Sequence, residues 1–287
     1  MRLATLCLGL TLSLAPVLAA CSQIPEASAS STSAQLIKRG DRNLAFHVTP
    51  GKPGNDTYIV LDAGGGLDAS YWSDFVPTLS QRTGATIITY DRAGMGQSDE
   101  APGPWDLNEA TRDLERGLEK LHATRNVILV SHSLAGEIAT ALVGRHPDWF
   151  TGGVLVDANV PDVYTEDFIS RAQAIYAPVL VELRAAPPTP QGRQLLALSE
   201  SFVETSRAFH KMVWPSSVPA TVIAAERPPF ESEVDARWWK DAHAQFARGA
   251  GNRRLVAADR SSHDVVRDRP DVILDAIIEL SQRADRH

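Results

Sequence analysis

Residues 126–143 read N-V-I-L-V-S-H-S-L-A-G-E-I-A-T-A-L-V, and this stretch decides the fold. The apolar run Val127–Val130 is short, β-branched and uninterrupted, as in a strand buried on both faces. It runs into Ser133, and a helical pattern starts at once. Small residues, Ser131, Ala135, Gly136 and Ala139, surround the turn. A strand that turns sharply into a helix lifts the hydroxyl at its apex into the open, and bulky neighbours there would clash. Ser133 is therefore a candidate nucleophile. A helix N-cap would also explain the serine, but not the small flanks or the preceding apolar run.

Working outward, strands are expected at Leu44–Val48, Tyr58–Asp62, Thr86–Tyr90, Val127–Val130, Val154–Val156, Thr221–Ala225 and Leu255–Ala258. Amphipathic helices lie between them: Leu114, Leu118 and Leu121 share one face, and Ile273, Ile277 and Leu280 another. The alternation predicts an α/β architecture, a mostly parallel sheet with helices on both sides. About sixty residues between Val156 and Thr221 break the rhythm. They show helical but no strand periodicity, with Phe168, Ile175, Tyr176, Val179, Leu183, Leu195, Phe202, Phe209, Met212 and Trp214 as their apolar residues. An insertion of that size is more than a loop. It reads as a helical cap, residues 159–215, divided near A-A-P-P-T-P by prolines that stop helices. The surrounding core is residues 36–158 and 216–287.

By these residues the chain resembles the α/β-hydrolase superfamily, in its capped, serine esterase- or lipase-like form, from Leu36 to the C-terminus. The elbow departs from the usual G-x-S-x-G as S-x-S-x-A, with Gly136 one place later. T-I-I-T-Y-D-R-A-G-M-G-Q-S-D, residues 86–99, is similar to the D-R-x-G-x-G-x-S segment of capped members and reads as a scaffolding turn. The resemblance implies a cap inserted after the sixth strand. It also implies an oxyanion hole from Y-I-V-L-D-A-G-G-G, where Asp62-Ala63-Gly64 stands in place of a His-Gly pair. There the N–H of Gly65, in preference to Gly66, pairs with that of Leu134. The segment from Leu255 to Ile278 is similar to the family's terminal G-H-x-x-x-x-x-x-P-x-x-V pattern and makes His263 the general base. His132 is the competing histidine, but as the neighbour of Ser133 at a strand end its side chain should point away.

The acid has two candidates. The usual place, after the penultimate strand, reads T-V-I-A-A-E-R-P-P-F, with Pro228 about where an aspartate belongs and Glu226 early. The strand before the cap ends G-G-V-L-V-D-A-N and offers Asp157. Asp157 is preferred as the carboxylate that orients His263.

The chemistry so implied is cleavage of an ester, or else a lactone or amide, through an acyl-enzyme on a small hydrophobic or acyl substrate. Dehalogenase and epoxide hydrolase chemistry are disfavoured, since both place an aspartate where Ser133 stands. The missing aspartate near Pro228 keeps a non-catalytic envelope-binding role open, and acyl transfer is a further alternative. No metal-binding spacing appears, and Gly64–Gly66 lacks the spacing of a dinucleotide loop, so neither metal nor cofactor is implied.

The N-terminus adds a location. Arg2 precedes the apolar run L-A-T-L-C-L-G-L-T-L-S-L-A-P-V-L, which is shorter than the ~20 residues a membrane span requires and reads as an export signal over residues 1–20. Leu18, Ala19, Ala20 and Cys21 resemble a bacterial lipobox, with Cys21 acylated as the first mature residue. The protein is then expected in the cell envelope, held to a membrane by lipid on the periplasmic or outer side. Residues 21–35 are rich in Ser and Ala and read as a tether. The chain has two cysteines, Cys7 in the signal and Cys21, so no thiol remains for catalysis or a disulfide. A net charge of −7, or −8 once Arg2 leaves with the signal, disfavours nucleic acid and anionic lipid surfaces as partners.

Overall fold

The computed structural model describes residues 34–101, 103–185 and 189–284. The signal, Cys7, Cys21 and the tether up to residue 33 lie outside the described residues. Eight strands form one sheet: β1 (Gln35–Arg39), β2 (Arg42–Thr49), β3 (Tyr58–Asp62), β4 (Thr86–Tyr90), β5 (Val127–His132), β6 (Phe150–Val156), β7 (Ala220–Arg227) and β8 (Arg253–Ser262). Their spatial order is β1-β2-β4-β3-β5-β6-β7-β8. β2 is antiparallel to both β1 and β4, and every later pairing is parallel. This is the α/β-hydrolase fold.

β1 was not expected from sequence. Gln35, the last residue of the expected tether, pairs with Phe46 and opens an edge strand. Only Ile37 of its five residues is buried. Edge strands carry little of the hydrophobic signal that reveals central ones, and exposed charges such as Lys38 suit them.

The parallel strands need helical crossovers, and these cover both faces. The helices are α1 (Val76–Thr83), α2 (Leu107–Lys120), α3 (Ala135–Arg145), α4 (Glu166–Ala185), α5 (Pro190–His210), α6 (Glu233–Arg248), α7 (Val265–Asp268) and α8 (Pro270–Ala284). Leu114 and Leu118 of α2, Ile138 and Leu142 of α3 and Phe246 of α6 bury against one face of the sheet. Leu79 of α1 and Ile273, Ile277 and Leu280 of α8 bury against the other. β5 at the centre is buried at all six positions. Burial of each such Leu or Ile is worth roughly 1.5–3 kcal/mol, so the two layers hold the central strand ends in place.

α4 and α5 follow β6 and pack on each other before the chain returns to β7. Thr189 caps α5 by accepting from the Gly192 N–H, and Pro190 occupies its first turn, where a missing N–H costs nothing. The apolar residues of this insertion divide. Phe168 and Phe209 are buried, Trp214 packs into the main core, and Ile175, Tyr176 and Val179 are exposed. Among the described residues no helix is long and apolar enough to cross a membrane.

Candidate active site

β5 ends at His132, and Ser133 follows with φ of 54°. A non-glycine residue held in left-handed backbone costs of order 1–3 kcal/mol and persists only where its surroundings over-determine it. Here they do. The Ser133 N–H donates to the Val156 carbonyl at 3.3 Å, and its own carbonyl accepts from Asn159 at 2.9 Å and from Gly136 at 3.0 Å. Gly136 is required by contact: a Cβ there would lie 2.1 Å from the Asn159 carbonyl oxygen. The shifted glycine of the elbow thus has a packing reason, and Ala135, at the motif's usual glycine place, is simply buried.

The structure brings Ser133, His263 and Asp157 together. Ser133 Oγ lies 2.9 Å from His263 Nε2, and His263 Nδ1 lies 2.6 Å from Asp157 Oδ2. His263 sits between β8 and α7, whereas Asp157 follows β6 with φ of 40°. Burial by itself would push the Asp157 carboxyl up. The hydrogen bond from His263, the charges of His243 and His263 and the Trp239 N–H together hold it below the ordinary carboxylate range. Its Oδ1 accepts from Trp239 Nε1 at 2.9 Å and from the Ala225 N–H at 3.1 Å.

Glu226, the rival acid, is elsewhere. It is still on β7, its carboxylate accepts from the Arg260 N–H, and its side chain is 49% exposed. Held to the end of β8 through its N–H and its carboxylate, it makes no bond to His263 among the described residues.

His132 is not directed at the Ser133 hydroxyl. Its ring stacks on Tyr71 at 5.0 Å, and its Nε2–H donates to the His263 carbonyl at 3.0 Å. Burial, with the His263 charge adding to it, lowers its pKa to about 3, so it stays neutral. It clamps the backbone of the loop that presents His263. Sequence reasoning gave it no role.

The glycine loop approaches from the other side. An ideal Cβ on Gly64 would sit 2.8 Å from His132 Nδ1, and one on Gly65 would sit 3.4 Å from the Leu134 side chain. Gly65 and Leu134 line one cavity together with Ser133. The Gly66 N–H is already taken by Gln194 Oε1 of α5 at 2.5 Å. Neither the Gly65 nor the Leu134 N–H meets an acceptor among the described residues. Arg92, buried in the D-R-A-G-M-G segment, donates to Asp62 and to the carbonyls of Ala63 and Gly64. It fixes the loop whose next residue is Gly65. Asp62, buried at the end of β3, thereby has a partner.

The cavity over Ser133 measures about 270 Å³ and is floored by the elbow and roofed by α4 and α5. Among the described residues no cluster of three or more His, Cys, Asp or Glu side chains has the arrangement of a metal site.

An open, mostly parallel sheet with a strained serine at its central strand end, bonded through a histidine to a carboxylate, defines a hydrolase class. The chain belongs to the alpha/beta hydrolase family, whose pattern matches residues 59–276. It is 24% identical over 242 residues to the uncharacterised protein YqjL of Bacillus subtilis (strain 168), covering 82% of this chain and 88% of YqjL. It is 30% identical over 128 residues to the (lyso)-N-acylphosphatidylethanolamine lipase of Homo sapiens, covering 43% of this chain and 37% of the lipase. Among solved structures, the bromoperoxidase of Bacillus anthracis superposes with a TM-score of 0.65 at 17% identity, covering 87% of this chain and 100% of the other.

Proposed function

We propose that this hydrolase cleaves carboxylic esters through an acyl-enzyme on Ser133, with His263 as general base and Asp157 as the carboxylate that orients it. The observation that carries the reading is the continuous chain from Ser133 Oγ through His263 to Asp157 Oδ2. Ser133 Oγ attacks the carbonyl carbon while its proton passes to Nε2 of His263. The oxyanion so formed faces the N–H groups of Gly65 and Leu134, which meet no acceptor among the described residues. Collapse expels the alcohol, protonated by His263. Water then attacks the acyl carbon, with His263 again taking the proton, and the carboxylic acid leaves. A donor of the oxyanion kind is worth about 3–4 kcal/mol of transition-state stabilisation.

The feature that left a non-catalytic role open was the absence of an aspartate near Pro228. Asp157 fills that role from the strand before the cap, so the catalytic reading is favoured. The predominantly apolar cavity favours an acyl or similarly hydrophobic group on the substrate.

Stopped-flow hydrolysis of p-nitrophenyl esters from acetate to octanoate tests this. A burst of p-nitrophenol equal to the enzyme concentration is expected, followed by slower turnover. Asp157→Asn should lose about 10⁴-fold in kcat, while Glu226→Gln stays near wild type. The opposite ranking would transfer the acid to Glu226. Hydrolysis in the presence of competing alcohols distinguishes transfer from hydrolysis by its products.

Export and anchoring belong to the same proposal and rest on the N-terminal sequence. The mature chain begins at acylated Cys21, which holds the enzyme to a membrane of the bacterial envelope. Mass spectrometry of the mature N-terminus should find Cys21 lipidated; an unmodified Cys21 would refute this.

A further inference from the structure

Glu137 stands on the first turn of α3, one turn after Ser133, and lines the same cavity. It is 4% exposed. Its Oε1 accepts from Asn159 Nδ2 at 2.7 Å and from the Tyr164 hydroxyl at 3.3 Å. Its Oε2 takes no hydrogen bond from the described residues, and no Lys, Arg or His among them pairs with the carboxylate. A buried carboxylate without a countercharge is costly, and such groups normally neutralise or find a cation. Burial does push the Glu137 carboxyl up to about 7, the two hydrogen bonds opposing it only in part. The catalytic steps proposed above make no use of it.

The walls around it are aromatic and connected. Phe202 meets Tyr164 edge-on at 6.4 Å, Tyr164 meets Phe168 at 5.8 Å, and Phe168 meets Phe230 at 5.8 Å. Phe230 then meets Trp239 at 5.5 Å, and Trp239 reaches the His263 ring at 6.4 Å. All five aromatic side chains line the cavity. Aromatic faces attract a cation where they have displaced its water, and a carboxylate among them supplies the opposite charge. A purely hydrophobic acyl group would need the aromatic wall but not the carboxylate.

We infer that Glu137, with Asn159 and Tyr164 holding its Oε1, forms an ammonium subsite beside Ser133, so that the substrate carries a cationic amine near its scissile bond. The inference names the substrate class of the hydrolase proposed above and rests on that reading for its catalytic meaning. The binding itself does not need turnover, so the two are separable.

The test uses Ser133→Ala protein, which binds without reacting. Butyltrimethylammonium and butylammonium are titrated at pH 8, with 3,3-dimethylbutan-1-ol as the uncharged probe, by calorimetry and by the fluorescence of Trp105 and Trp239 at the cavity wall. At least one cation should bind tenfold or more tightly than the alcohol. Glu137→Gln in the same background should abolish that preference while leaving alcohol binding within about twofold. Phe202→Leu, which removes one aromatic face without touching the carboxyl, should weaken the preferred cation by about threefold or more and spare the alcohol. Equal or tighter binding of the alcohol, absence of cation binding, or a cation preference that survives Glu137→Gln would each overturn the subsite. Loss of ester hydrolysis in wild-type protein with intact cation binding would instead strike the proposed reaction.

Discussion

The Trp239 indole N–H donates to Asp157 Oδ1 at 2.9 Å, on the carboxylate whose other oxygen takes the His263 Nδ1–H at 2.6 Å. The two bonds hold both oxygens and so fix the plane in which the His263 ring is presented. Trp239→Phe keeps the ring volume and removes the donor. A fall in kcat of about tenfold with a stability loss of about 1 kcal/mol is expected, the latter being the ordinary net worth of such a bond. Steady-state kinetics and denaturant titration check both.

Arg92 ties Asp62 to the carbonyls of Ala63 and Gly64. Burial raises the Asp62 pKa, with the Arg92 charge as the largest opposing influence, so the pair depends on the guanidinium. Arg92→Met leaves a buried carboxyl with no countercharge and only the Tyr90 hydroxyl as partner, and should cost about 3–5 kcal/mol. Arg92→Lys keeps the charge but lacks the planar fork that reaches three acceptors. It should fold with a smaller penalty and lower kcat more than it raises KM, because the loop leading to Gly65 is loosened.

At Ser133 the φ of 54° makes a stability prediction independent of chemistry. Ser133→Gly relieves the left-handed strain, whereas Ser133→Ala retains it. Both should be inactive, and the glycine variant should be more stable than the alanine variant by about 1 kcal/mol. Thermal unfolding of the pair decides.

Glu137 gives a pH dependence whose sign is fixed. Burial pushes its carboxyl up to about 7 in the folded protein from the ordinary 4.5 of the unfolded chain, so the folded chain holds the proton more tightly. Stability from this group therefore falls as pH rises from 4.5 to 7, and the penalty is complete above 7. Glu137→Gln should thus be more stable than wild type at pH 8, by roughly 3 kcal/mol at one pKa unit per 1.36 kcal/mol. The gap should close towards pH 4.5. Melting curves at pH 5 and pH 8 measure it; a pH-independent gap would contradict the assignment.

What sequence reveals and what it hides follows from how far each signal travels along the chain. The elbow is legible because strand, serine, small flanks and helix are contiguous, and the central strands because they are apolar throughout. β1 is hidden because an edge strand of Gln, Lys and Arg looks like tether. Asp157 emerges only as one of two carboxylates, since its choice over Glu226 depends on β7 running on through Arg227, which keeps Glu226 on the strand. Trp239 lies 82 residues from Asp157, and His132 bonds a carbonyl 131 residues on. In sequence, a Trp-Trp pair on an amphipathic helix reads as core, and nothing local marks one tryptophan as a donor to the triad acid. Glu137 was overlooked because a glutamate in a first helical turn is ordinary where that turn is exposed; here the cap buries it.

The central claim is that Ser133 is the nucleophile activated by His263. Peptide mass spectrometry after brief exposure of the folded protein to a fluorophosphonate measures it most directly. A single adduct on Ser133 is expected, formed rapidly in the wild-type protein and slowed by several orders of magnitude in His263→Ala. Absence of an adduct on Ser133 in folded wild-type protein, or equal labelling in the His263→Ala variant, would contradict the account.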